Sequence, residues 1–201
     1  MKTSLLTMLL ASGVIAADTI GVRPYEMDWA NRTKDDRDPI IDFEDNTPWT
    51  AEAVNSKASF VRTREQQLFG KYVYKLTYRR IGDKTPSITL RPPKPVPVPV
   101  PFDIVGCWIY GNNWAWVTDH TTPRVQVNLL FKTADNKEHE YNLTTVRWKE
   151  WFLALKRYPD QDLKILSQPG THFTGFKITN GTNTEDRAIF FDSLTIYEEN
   201  Q

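Results

Sequence analysis

Between residues 92 and 101, Pro92, Pro93, Pro95, Pro97, Pro99 and Pro101 alternate with Val or Lys. Proline lacks an amide hydrogen and fixes φ near about −65°, so this run can be neither a helix nor a central strand. Alone it favours an extended polyproline II conformation. As a linker it would split the chain into halves, and neither half carries enough strand-forming sequence to close a sandwich. The run is therefore expected to be a rigid crossing between two sheets of one domain. Use as a Pro-rich signalling ligand fits poorly with export.

The flanking sequence reads as strands. Residues 40–45 alternate apolar and acidic side chains, as a first strand would, and 46–48 turn the chain into Trp49. A short strand is expected over 60–62. A long one covers 71–80, with Tyr72, Tyr74, Leu76 and Tyr78 on one side, and another covers 87–90. Residues 124–132 alternate Val125, Val127, Leu129 and Phe131 against Arg124, Gln126, Asn128 and Leu130. A turn at 134–137 leads to a return strand over 139–143. Residues 146–158 carry Trp148, Trp151, Phe152 and Leu155 at helical spacing, yet the β-rich surroundings favour an extended segment. The last two strands, 173–179 and 188–197, are separated by a turn at Asn180-Gly181. About nine strands and little helix predict an all-β fold, an antiparallel two-sheet β-sandwich.

A chain of 201 residues suits one domain with an arm. Lys plus Arg equals Asp plus Glu at 25 each, and no basic run or face stands out, so nucleic acid is not an expected partner. Cys107 is the only cysteine, which excludes an intrachain disulfide and predicts a buried small hydrophobe. Residues 1–16 read as a signal peptide: Lys2, an apolar run over 5–15, and a small-residue cleavage site at Ala16. The run is too short to span a bilayer. A cleaved, secreted or periplasmic protein is expected, with a charged arm over 17–39 and the folded domain over 40–201. Asn31, Asn142 and Asn180 open Asn-x-Thr sequons, which matter only in a eukaryotic secretory route.

Residues 102–116 concentrate the side chains that bear on function. A strand over 104–110 ends in Gly111-Asn112-Asn113, a tight turn. Trp108 and Tyr110 share one face of an extended chain, as do Trp114 and Trp116. Large rings beside paired amides suit a surface that grips a flat, hydroxyl-rich ligand. A packed sandwich core is the competing explanation for the same rings.

The terminal strands carry carboxylates: Asp42, Glu44 and Asp45 in the first, Asp192 in the last. If those strands are neighbours, the carboxylates meet and repel unless a cation joins them, and hard oxygen ligands select Ca2+. The alternative is that they face solvent.

Three segments resemble carbohydrate-binding modules of the galactose-binding-like jelly-roll type, found in secreted glucanases and xylanases. They are Ile41-Asp42-Phe43-Glu44-Asp45 followed by a Trp, Phe69-Gly70-Lys71-Tyr72-Val73-Tyr74-Lys75-Leu76, and Phe191-Asp192-Ser193-Leu194-Thr195-Ile196. Trp108-Ile109-Tyr110-Gly111-Asn112-Asn113 is similar to the family's Trp-containing strand and polar turn. The resemblance spans residues 40–198. The Pro-Val run and the charged arm depart from the pattern. The resemblance implies a jelly roll with a structural Ca2+ held by Asp42, Glu44 and Asp192. It also implies non-catalytic binding of a polysaccharide or oligosaccharide on a concave face. The residues expected there are Tyr110, Asn112, Asn113, Trp114 and Trp116, with Arg91, Arg147 and Trp148 behind them. A glycan-degrading enzyme is the implied companion.

Two rival functions remain. A glycoside hydrolase would need two carboxylates flanking a cleft. Asp103, Asp119, Glu140 and Glu150 are available, but no motif singles out a pair, and His120, His139 and His172 are scattered. The same fold also serves as a protein-protein adaptor, for which the arm and the Pro run would be the docking elements.

Overall fold

The computed structural model describes residues 37–112 and 124–199. Among them, eleven strands and one short helix follow in order. β1 (Thr50–Val54) and β2 (Ser56–Thr63) lead to β3 (Val73–Arg80) and β4 (Ser87–Arg91). Next come β5 (Val96–Pro97), β6 (Ile104–Tyr110), β7 (Gln126–Lys132) and β8 (Glu138–Thr145). The chain closes with β9 (Trp151–Arg157), α1 (Asp160–Leu166), β10 (His172–Thr179) and β11 (Arg187–Tyr197). One sheet runs β1-β4-β10-β7-β8 with β5 also on β10, and the other runs β2-β3-β11-β6-β9. Every pairing is antiparallel. The fold is thus an all-β two-sheet antiparallel sandwich, consistent with a jelly roll.

Alternation builds the core. Val127, Leu129 and Phe131 of β7 and Val105, Cys107 and Ile109 of β6 meet between the sheets, with Phe173 and Phe176 of β10 and Phe191 of β11. Cys107 is buried as expected. Trp108 points the other way. It joins Leu68, Val73, Trp151, Leu153 and Phe190 in a second buried cluster on the outer side of the β6 sheet. Residues 151–157 are extended, so the strand reading of that segment holds. Asn136 (φ 65°) and Asn180 (φ 61°) make the two turns with the left-handed backbone that Asn tolerates.

Four expectations need correction. Residues 40–45 form no strand: only Ile41 bridges Leu194, and Phe43, at φ 60°, turns the chain away. The expected 60–62 strand extends over Ser56–Thr63 and is preceded by β1, whose exposed small residues carry no inward pattern. The helix α1 was hidden in a segment too short for periodicity; Pro159 precedes it, Asp160 and Asp162 lie in its first turn and Lys164 in its last, as its dipole favours.

The Pro run is also more than a crossing. Val96 and Pro97 pair with Phe173 and His172, and the Val98 amide donates to Thr171 O at 3.1 Å. Donors therefore stand at the valines, which face β10. By the alternation of an antiparallel ladder, Pro97 faces the open edge, where an amide hydrogen would have no partner. The prolines occupy the edge-facing positions, Val98 is buried and Val96 is half-buried. Polyproline II, with its period of three, does not account for this two-residue pattern.

Candidate functional site

The turn after β6 is held by close approach. A Cβ on Gly111 would lie 2.2 Å from Trp148 O and 2.7 Å from Val146 Cγ1, so only glycine allows the two segments to meet. The Gly111 amide donates to Glu150 O at 3.2 Å. Asn112 Nδ2 donates to the Tyr78 hydroxyl at 2.9 Å, and burial pushes the Tyr78 pKa up to about 12, keeping it neutral. Trp148 Nε1 donates to Ile109 O at 2.9 Å, and its ring stacks on Phe152 at 4.3 Å and 22°. The backbone fixes this aromatic pair, so it needs little ordering to meet a ligand.

Beside the pair opens a groove of about 480 Å³, lined by Thr144, Thr145, Arg147, Trp148, Glu150 and Phe152. Arg147 is exposed, and no ion pair or hydrogen bond engages its guanidinium among the described residues. The groove therefore offers a charged donor fork, a carboxylate, two hydroxyls and ring surface. Such a set can hold hydroxyl groups around an apolar sugar face.

The structure gathers the expected binding residues only in part. Arg147 and Trp148 line this groove; Tyr110 and Asn112 do not, and Asn112 is bonded to Tyr78. Tyr110 is half-buried, its ring edge-on to Trp151 (5.7 Å) and Phe190 (5.8 Å) on the outer side of the β6 sheet. Trp148 is 9 % exposed, so it serves mainly as packing behind the groove. Asn113, Trp114 and Trp116 lie outside the described residues, as do Asp119 and His120. Arg91 stands elsewhere. It forms a bidentate pair with Glu138, and Glu138 and Thr145 mark opposite ends of β8, about 23 Å apart at roughly 3.3 Å per residue. Thr145 and Phe152 were not expected at a site from sequence, the four-residue spacing of Trp148 and Phe152 being the one signal, and Glu150 was named only among the acids open to a hydrolase.

The outer face of the β10 sheet is already satisfied within itself. Thr174 Oγ1 donates to Glu138 Oε1 at 2.8 Å, and the Arg91 guanidinium holds the Glu138 carboxyl below its usual range. Lys177 reaches Glu140 at 2.6 Å, Asn128 donates to the same carboxylate at 2.8 Å, and Asn142 donates to Asn128 Oδ1 at 2.8 Å. A larger cavity of about 620 Å³ near α1 is walled by Asp103 and Glu199, both tied to Arg157. At the corner, Arg147 has no such partner among the described residues.

The two ends lie side by side, and the Glu44 and Asp42 charges act on Asp192. Ile40 N and Ile41 N donate to Leu194 O, and Leu194 N donates back to Ile41 O at 2.9 Å. Asp192, 1 % exposed, accepts the Phe69 amide on Oδ2 at 2.9 Å, while its Oδ1 has no partner among the described residues. Burial drives its pKa well up, and the nearby Glu44 and Asp42 charges add to the rise. Glu44 Oε1 accepts the amides of Lys71 (2.7 Å) and Tyr72 (2.8 Å). A Cβ on Gly70 would lie 2.3 Å from that oxygen, and φ is +55° there. Asp42 Oδ1 accepts the Glu44 amide at 3.0 Å. The buried orphan oxygen and the all-oxygen donor set fit a hard cation. However, among the described residues no group of three or more His, Cys, Asp or Glu side chains is gathered to hold an ion, so carbonyl oxygens would have to complete the shell.

No family model and no curated protein matches the chain. Solved structures do. One, described as the structural basis for the promiscuous specificity of carbohydrate-binding modules from the β-sandwich superfamily, aligns over 80 % of this chain and 62 % of its own, with a TM-score of 0.56 and 15 % identity. The two-sheet β-sandwich is thus similar in fold to this module. A second module of this kind, the family 11 module from Clostridium thermocellum in complex with a β-1,3-1,4-mixed-linked tetrasaccharide, aligns at TM-score 0.50 and 10 % identity, over 79 % of this chain and 93 % of its own. The chain spans under two thirds of the first of these, and at such identities the likeness concerns the module fold alone. Among the described residues no helix is long and apolar enough to cross a membrane.

Proposed function

We propose that this chain binds a polysaccharide or oligosaccharide without cleaving it, at the corner groove built on Trp148 and Phe152. The observation that carries the proposal is Arg147, unpaired among the described residues, beside a backbone-fixed aromatic stack in an open groove on a fold similar to carbohydrate-binding modules. Arg147 bonds hydroxyls through its guanidinium fork, and each hydrogen bond nets only about 1 kcal/mol, so ring contact supplies the rest. Trp114 and Trp116, four and six residues beyond Tyr110, belong to the same proposal.

Calcium belongs to the proposal too. Asp192, Glu44 and Asp42 would hold the ion, which would offset their mutual repulsion and brace the loop they already bond. The galactose-binding-like subtype, export through residues 1–16 and a glycan-degrading companion are proposals resting on the same resemblance.

The test is isothermal titration of the full chain with soluble β-glucan, xylan, mannan and galactan. Saturable binding to at least one, lost in Arg147→Ala and Trp114→Ala, supports the proposal. Absence of binding to all four overturns it. A hydrolytic reading rests on Glu150 alone in this groove; release of reducing ends by the purified chain, abolished in Glu150→Gln, would replace binding with catalysis.

A further inference from the structure

A second groove, of about 520 Å³, lies along the open edge of β5, between the Pro run and residues 40–49. Its floor is Phe43, Trp49 and Tyr74, and its lips carry Asp45, Thr47 and Lys94. Three features define what it takes. First, the edge offers acceptors only: Pro97 directs its carbonyl outward and has no hydrogen to give, so a peptide strand cannot pair there. Second, the lips are polar and charged. Asp45 Oδ1 accepts the Thr47 amide and hydroxyl, both at 2.9 Å. Lys94 is exposed and has no anion beside it among the described residues. Third, the Trp49 faces are taken, by Phe43 at 5.6 Å and 30° and by Phe176 at 6.0 Å and 21°, so an occupant meets ring edge and pyrrolidine.

An apolar trough with a row of carbonyl and carboxylate acceptors and one ammonium donor complements a body that is apolar on one side and rich in hydroxyl donors. We infer that this edge groove is a second saccharide subsite, taking a neutral, hydroxyl-bearing sugar against the Pro97 edge, Asp45 and Lys94. The inference rests on the saccharide-binding proposal above but uses none of its residues. Without a free ring face, this subsite binds more weakly than the corner, and its role is to add avidity along a polymer.

The experiment is a ¹H–¹⁵N NMR titration of the full chain with cellotetraose, xylotetraose and mannotetraose in turn, and with a proline-free strand-forming hexapeptide. Saturable shifts of the Thr47, Lys94 and Val96 amides with a tetrasaccharide, weakened at least fivefold in both Lys94→Ala and Asp45→Asn and unchanged in Arg147→Ala, support the subsite. Shifts confined to residues 144–152 overturn it and leave the corner proposal standing. Shifts at 93–97 with the hexapeptide, or sugar shifts that ignore both variants, also overturn it. No shift with any sugar removes both.

Discussion

Asp192 and Phe69 are 123 residues apart, and the Asp192 Oδ2 atom accepts the Phe69 amide at 2.9 Å. The last strand thereby holds the loop that leads into β3, and the Phe69 ring closes edge-on over Trp108 at 5.8 Å. If Ca2+ sits against the free Oδ1, chelator lowers the melting temperature of the full chain without unfolding it. An ion at 100 times its Kd stabilises by about 2.7 kcal/mol. In Asp192→Asn the melt no longer responds to Ca2+ or chelator. Identical wild-type melts with and without chelator would show that no such site exists.

Gly111 and Gly82 are glycines for different reasons. Gly111→Ala drives a Cβ into Trp148 O, a backbone atom with nowhere to go, and costs about 1–3 kcal/mol. Gly82 sits at φ +66° with nothing within 4 Å, so Gly82→Ala costs only the left-handed strain of about 1 kcal/mol. Urea denaturation midpoints separate the two, and the reverse order would contradict the packing account.

Arg147 is exposed and unpaired among the described residues, so its removal tests binding without disturbing the fold. Arg147→Ala changes stability by less than about 0.5 kcal/mol while reducing glycan affinity at least tenfold. Thermal melts and calorimetric titration on the same preparation check both halves. A variant that keeps wild-type affinity sends the site elsewhere.

The Arg91–Glu138 pair makes a pH-dependent contribution. Arg91 lowers the folded pKa of Glu138, so the pair's stabilisation is present above the unfolded glutamate value of about 4.3 and is lost as pH falls through the folded value. Arg91 stays protonated across that window and contributes no slope. Glu138→Gln therefore flattens the fall of melting temperature on the acid side and leaves its shape near neutrality unchanged. An unaltered acid limb would mean that solvent screens the pair completely.

Pro97→Val restores an amide hydrogen at an exposed edge. The variant keeps its pairing to His172, yet it presents a donor and an acceptor to a second chain. Light scattering at rising concentration should show self-association absent from wild type. A variant as monodisperse as wild type would mean that the edge is protected by other means.

The sandwich was legible where large apolar side chains mark one face, as at Val125, Val127, Leu129 and Phe131, although Asn128 and Leu130 on the other face are buried as well. It was illegible where that contrast is missing. β1, Thr-Ala-Glu-Ala-Val, lies at an exposed edge, so neither face is marked by large apolar residues. Residues 40–45 do alternate, but a left-handed Phe43 breaks the extension, and nothing in a phenylalanine announces positive φ. The Pro run announced rigidity; which edge it guards depends on β10, some 75 residues later. At the site, strand register, which no single residue announces, sends Trp108 and Tyr110 to the outer side of the β6 sheet and Trp148 to the inner packing behind the groove. Arg91 and Arg147 look alike in sequence, and only the presence of Glu138 across the sheet shows that one is spoken for.

The bridge between Ile41 and Leu194 also governs how the domain answers force. The partners run antiparallel, so the chain leading into Ile41 and the chain leaving Leu194 depart in the same direction. Tension applied through both flanks peels these backbone bonds apart in succession instead of shearing them together. A tethered sandwich of this kind yields early under load, opening first at the seam where Asp42, Glu44 and Asp192 assemble, so an ion bridging that seam would act as its mechanical clasp.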